Sequence, residues 1–141
     1  MNTTIRLPYT KPPLSLNDRG MSRGAAMAKA TKIRRMREQM VQLAQIARLP
    51  KGVKFVTVQL HYRPRDNRAR DTDNLVATLK PLADGLTAPR VVKTKRGINT
   101  HPGHGMVPDD STRYMSKPEP LIHEAIKGQP GTLWLELTWD T

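Results

Sequence analysis

The chain has 141 residues, enough for one domain with a modest core, because only 37% of them are apolar. It has no cysteine, which excludes a disulfide framework and thiolate metal sites, and no run nears the ~20 apolar residues that span a bilayer. Twenty-four Lys and Arg against twelve Asp and Glu give a net charge of +12, a field that suits a polyanion and above all nucleic acid.

Residues 3–7 alternate weakly and predict a short strand, ended by Lys11-Pro12-Pro13. Residues 14–23 hold Ser, Asn, Asp and Gly and read as a loop. Over 24–49 the period becomes helical. Ile33, Met36, Met40, Leu43 and Ala47 form an apolar stripe, with Lys32, Arg34, Arg35 and Arg37 away from it, until Pro50 and Gly52 stop the helix. Residues 53–62 alternate, placing Val56, Val58, Leu60 and Tyr62 on one face of a strand. An arginine-rich loop follows at 63–70, then a second helix at 73–86 that buries Leu75, Leu79, Leu82 and Leu86. Residues 87–108 read as a long basic loop and 112–124 as holding one strand. Residues 132–139 give a clear last strand, in which Leu133, Leu135 and Leu137 alternate with Trp134 and Glu136. This order predicts an α/β chain of the α+β type: a single domain over 1–141, with a small mixed β-sheet packed against two main helices.

The acids are not evenly spread. Asp66, Asp71, Asp73, Asp84, Asp109 and Asp110 are half of the total and occupy one third of the chain. In an extended segment Asp71 and Asp73 project to one side, so both can reach one ion. A helix N-cap would by itself account for Asp73. Along the helix Asp73, Lys80 and Asp84 fall within about 20° of one line, opposite the leucines. Pro108-Asp109-Asp110-Ser111 suits a plain turn as well as a site. Taken together, two acidic pairs bracket one helix in a strongly basic chain. Such carboxylates hold a hard cation such as Mg²⁺, and a nearby lysine stabilises the charge that develops in phosphodiester hydrolysis. His61, His101, His104 and His123 match no zinc spacing, and the loop histidines around Pro and Gly read as solvated. Trp134 and Trp139, five apart, face opposite sides of their strand.

The run Asp71-Thr72-Asp73-Asn74-Leu75, followed by Lys80 and Asp84 and then Pro108-Asp109-Asp110, resembles the signature of the RusA-like Holliday junction resolvases. The early Pro12-Pro13-Leu14-Ser15-Leu16-Asn17 is similar to that family's N-terminal segment. The resemblance implies a homodimeric, Mg²⁺-dependent endodeoxyribonuclease, with Mn²⁺ able to substitute, that nicks branched DNA in paired, symmetric positions. It implies Asp71, Asp73 and Asp110 as catalytic metal ligands and Lys80 as the essential lysine; Asp84, on the same helix line, is expected to steady Lys80. Lys80 lies three residues farther from the second aspartate than in the best-known member, nearly one turn, which keeps it on the same face. DNA contacts are expected from Asn17, Arg65, Arg68, Arg70, Lys93, Lys95 and Arg96. No membrane and no nucleotide cofactor is expected, and the setting implied is the cytoplasm of a bacterial or phage-infected cell. Flaps, forks and a non-catalytic DNA-binding role are the alternatives.

Overall fold

The computed structural model describes residues 1–14 and 22–140. The elements run β1 (Asn2–Arg6), α1 (Arg23–Ile46), β2 (Phe55–Arg63), α2 (Asp73–Leu86), β3 (Arg90–Thr94), β4 (Gly97–His101), β5 (Met115–Ser116), β6 (Leu121–Ile122) and β7 (Thr132–Asp140). The sheet is mixed, in the order β1-β7-β2-β5, with β6 also on the outer edge of β2. β7 is antiparallel to β1 and β2, whereas β5 and β6 run parallel to β2.

Period-2 alternation decides which sheet face is covered. Val56, Val58, Leu60 and Tyr62 of β2 join Leu133, Leu135, Leu137 and Trp139 of β7 in the core. The helices complete that core with Met36, Met40 and Ala44 from α1 and Leu75, Leu79, Leu82 and Leu86 from α2. The result is an α+β domain of one mixed sheet and two helices. The opposite sheet face carries polar groups, and there His61 and His123 stack with Trp134 at centroid distances of 5.1 Å. Trp134 and Trp139 do face opposite ways, with Trp139 buried.

The fold differs from the sequence expectation in four places. First, the buried stripe of α1 is Met36, Met40 and Ala44, with Leu43 half-buried against the core; Ile33 and Ala47 are exposed, because the first three turns of the helix carry no buried residue and its end runs past the core. Second, 87–108 is not one loop: β3 and β4 pair from Arg90↔His101 to Thr94↔Gly97 as an exposed ribbon. Third, the strand expected within 112–124 is two strands of two residues each. Fourth, among the loop histidines, His104 is buried, not solvated, and one of its ring nitrogens lies 2.8 Å from the Leu49 carbonyl oxygen; His61 of β2 is buried as well.

α2 starts without a side-chain cap bond and continues through Pro81, which is buried against the α1 side. Gly85 lets the two helices cross closely, since a Cβ there would stand 2.7 Å from the Met40 Cβ. The ribbon's base is tied down by main-chain bonds from Ala88 to Val107, Gly105 to Thr87 and Met106 to Leu86, at 3.0, 3.0 and 2.8 Å. Gly103 makes this crossing possible: a Cβ there would lie 2.1 Å from the Thr87 carbonyl oxygen and 2.8 Å from the main chain of Ala88 and Pro89. Gly103→Ala is therefore expected to destabilise the fold by roughly 1–3 kcal/mol, since the added methyl meets backbone and not the end of a flexible side chain. Urea unfolding of the two proteins measures it, and equal stability would show that the crossing relaxes freely. Among the described residues, no helix is long and apolar enough to cross a membrane.

Candidate functional site

The acidic segment at the start of α2 does not use Asp73 as its cap. Thr72 occupies that position, and its hydroxyl donates instead to Glu119 Oε1 at 2.6 Å. The Asp73 backbone N–H is taken by Asp71 Oδ1 at 3.1 Å, so Asp71 supplies the side-chain oxygen at this end. Asp73 is exposed in the first turn, and its carboxylate makes no hydrogen bond or ion pair among the described residues. Local folding thus accounts for part of Asp71 and leaves the Asp73 carboxylate without a structural task. The helix N-terminus stabilises negative charge at this point.

Farther along the same helix, Lys80 joins the two acidic elements. Its Nζ lies 3.1 Å from Asp84 Oδ1, one turn on, and 2.5 Å from Asp110 Oδ2, which arrives from the segment beyond the ribbon. Lys117 Nζ, 2.7 Å from the same oxygen, holds Asp110 from the other side. The Asp109-Asp110 pair divides its roles: Asp109 Oδ1 accepts the Ser111 N–H at 2.8 Å and closes the turn, while Asp110 reaches the lysines. The turn reading thus explains Asp109 but not Asp110.

Hydrogen bonds from Lys117 and then Lys80 hold the Asp110 carboxyl down at about 2. Partial burial works against the Lys80 ammonium, but its bonds to Asp110 and Asp84 outweigh that and raise its pKa. The Asp110 shift has a testable sign. A depressed carboxylate pKa contributes stability above its ordinary value of 3.8, and this is lost as pH falls toward 2. After discounting for solvent screening, the wild type is expected to lose about 1 kcal/mol relative to Asp110→Asn across that window. Paired urea titrations at several pH values check this, and parallel curves would contradict it.

The metal ligands expected from the sequence divide into two groups. Asp71 and Asp73 sit at the helix start, whereas Asp110 is at the level of Lys80, about 10 Å farther along the axis. Among the described residues, no three His, Asp or Glu side chains gather in a way that could hold an ion. Asp110 is neutralised by two ammonium groups and does not join the aspartates at the helix start. Thr72 between Asp71 and Asp73 is in the αR conformation, so the extended segment expected to point both to one side is not formed. These two aspartates remain hard, exposed carboxylates of the kind Mg²⁺ takes, one or two at a time, with several waters and substrate phosphate.

The arginine loop also differs from expectation. Asp66 belongs to no acidic site but is the hub of that loop: Arg68 grips it through Nε and Nη2 at 3.1 and 3.0 Å, and Arg70 Nη2 at 2.8 Å. Arg65 stands 3.7 Å away. These bonds hold the Asp66 carboxyl far below the usual carboxylate range. Arg70 also donates to two loop carbonyls and is largely covered, while Arg65 and Arg68 remain exposed. Lys93 lies on β3, and Lys95 and Arg96 form the ribbon's turn, all exposed. Asn17 falls outside the described residues.

Lys117 was not singled out by the sequence, and Arg37, expected away from the buried stripe of α1, is buried instead. In a chain with twenty-four basic residues, nothing in their spacing distinguishes them. Neither a scan of protein-family models nor a search of curated proteins returns a match for this chain.

Proposed function

We propose that the protein is a divalent-metal-dependent endodeoxyribonuclease that acts on branched DNA as a homodimer, in the manner of the RusA-like resolvases it resembles. One observation carries the reading: Lys80 bridges Asp84 and Asp110 on an exposed ridge of α2 whose other end presents Asp71 and Asp73. In a chain of net charge +12, those are the parts that phosphodiester hydrolysis uses.

Asp71 and Asp73 would hold Mg²⁺ or Mn²⁺, whose chemistry when bound is to polarise a phosphoryl oxygen and to acidify a water. Lys80 keeps its proton, is oriented by Asp84 and Asp110, and sets its ammonium charge against the negative charge that builds on the scissile phosphate. Lys117 gives a second positive charge beside it. Arg65 and Arg68 on one loop, and Lys93, Lys95 and Arg96 on the ribbon, contact the backbone in a salt-dependent way. A two-fold dimer matches the two equivalent strands of a four-way junction.

The separation of Asp110 from the other two aspartates favours a second reading, in which the protein binds branched DNA without cutting it. Labelled four-way junction, flap, fork and linear duplex, each offered with Mg²⁺, separate the readings. Paired symmetric nicks confined to the junction are expected. Equal cutting of flaps or forks would move the substrate class, and tight binding with no cutting would favour the second reading.

A further inference from the structure

The outer face of α1, the middle of α2 and the inner side of the β3–β4 ribbon enclose a groove of about 660 Å³. Arg34, Arg37 and Arg90 line it, against a single carboxylate, Asp84, which Lys80 already holds. Arg37 is the unusual member. It is only 8% exposed, yet no carboxylate pairs with it among the described residues. Its Nε donates to the Pro102 carbonyl at 2.6 Å, which fixes the plane of the guanidinium. Its terminal amino groups make no hydrogen bond among the described residues, although the side chain lines the groove. Supporting one carbonyl needs one N–H, whereas a guanidinium carries five in a rigid fork suited to phosphate. Burying an arginine without a carboxylate is costly unless something compensates it. The groove also has an apolar side, because Ile33 and Ile98 are 36% and 66% exposed there.

We propose that this groove seats one nucleotide of a DNA strand, its phosphate on the Arg37 fork between Arg34 and Arg90 and its sugar and base against Ile33 and Ile98. The proposal rests on the DNA-cleaving reading for the identity of the strand, and it runs that strand past Asp84 toward the Lys80–Asp110 pair. Arg37 is then a binding residue that fixes the register of the strand relative to the ridge of α2.

The test is titration of the isotope-labelled full chain with the dinucleotide pdTpdT, without metal, followed by NMR at the Arg37 Nε–H and the Thr100 and His101 amides. These signals are expected to move together and saturate. Arg37→Lys keeps the charge but loses the fork, and should weaken binding roughly tenfold. Arg90→Gln, at an exposed position, should weaken it several-fold and stands in if the Arg37 variant misfolds. Inorganic phosphate should bind roughly tenfold more weakly than the dinucleotide, because it lacks the apolar contacts. The proposal is overturned if the dinucleotide leaves these signals unmoved, if Arg90→Gln and a folded Arg37→Lys bind like the wild type, or if phosphate binds equally well. Dinucleotide binding in a protein that never cuts a junction would uphold the groove and sink the nuclease reading alone.

Discussion

Asp73→Asn is expected to abolish metal-dependent cleavage while leaving the fold nearly unchanged. The substitution preserves shape, and the wild-type carboxylate makes no hydrogen bond or ion pair among the described residues that its loss would break. The structural cost is the favourable interaction with the helix N-terminus, under about 1 kcal/mol at an exposed site. The functional cost is much larger. Removing one of two hard oxygen donors weakens the metal and its polarisation of the phosphate, and a loss of about 4 kcal/mol of transition-state stabilisation is roughly 10³-fold in rate. Single-turnover cleavage of a junction, beside urea unfolding of the same preparation, measures both. Activity within tenfold of the wild type would remove Asp73 from the machinery, and a collapse in stability would make its role structural.

Lys80→Gln is expected to lower the cleavage rate by roughly 10²–10³-fold, the scale of losing one well-placed positive donor to a developing oxyanion. Its effect on stability should stay near or below about 1 kcal/mol, because the Lys80 side chain is 57% exposed and such ion pairs contribute little. Asp110 keeps Lys117, so the segment carrying it stays docked. Lys80→Arg retains charge but not the compact ammonium, and should recover only part of the activity. Rates measured with saturating junction, alongside the dissociation constant for uncut junction without metal, separate chemistry from binding. If the variant lost binding and kept its rate on bound DNA, Lys80 would be a backbone contact.

The parts of this fold that can be read from the sequence are those where a buried face imposes its period. The leucines of α2 recur every three or four residues because one side of the helix lies on the sheet, and β2 and β7 alternate because only one face of the sheet is covered. The ribbon was hidden for the opposite reason. All its residues but the half-buried His101 are exposed, so no burial pattern marks it, and its turn is Lys95-Arg96 instead of a glycine-containing pair. β5 and β6 are too short to show any period. Within the site, the Asp73–Lys80–Asp84 line follows from helix geometry alone. The contact between Lys80 and Asp110 does not, because a ribbon and a turn separate them in sequence. Arg70 and Asp66 mislead for the same reason: only the folded loop turns an isolated aspartate into the anchor of its neighbouring arginines.

The most direct test of the central claim is a time course on a labelled four-way junction, with the wild-type protein in EDTA and then with Mg²⁺ added in excess. An intact junction in EDTA, followed by two symmetric nicks once Mg²⁺ is present, is the predicted result. A junction that stays bound and uncut under Mg²⁺ and Mn²⁺ alike, or one cut equally well in EDTA, would contradict it.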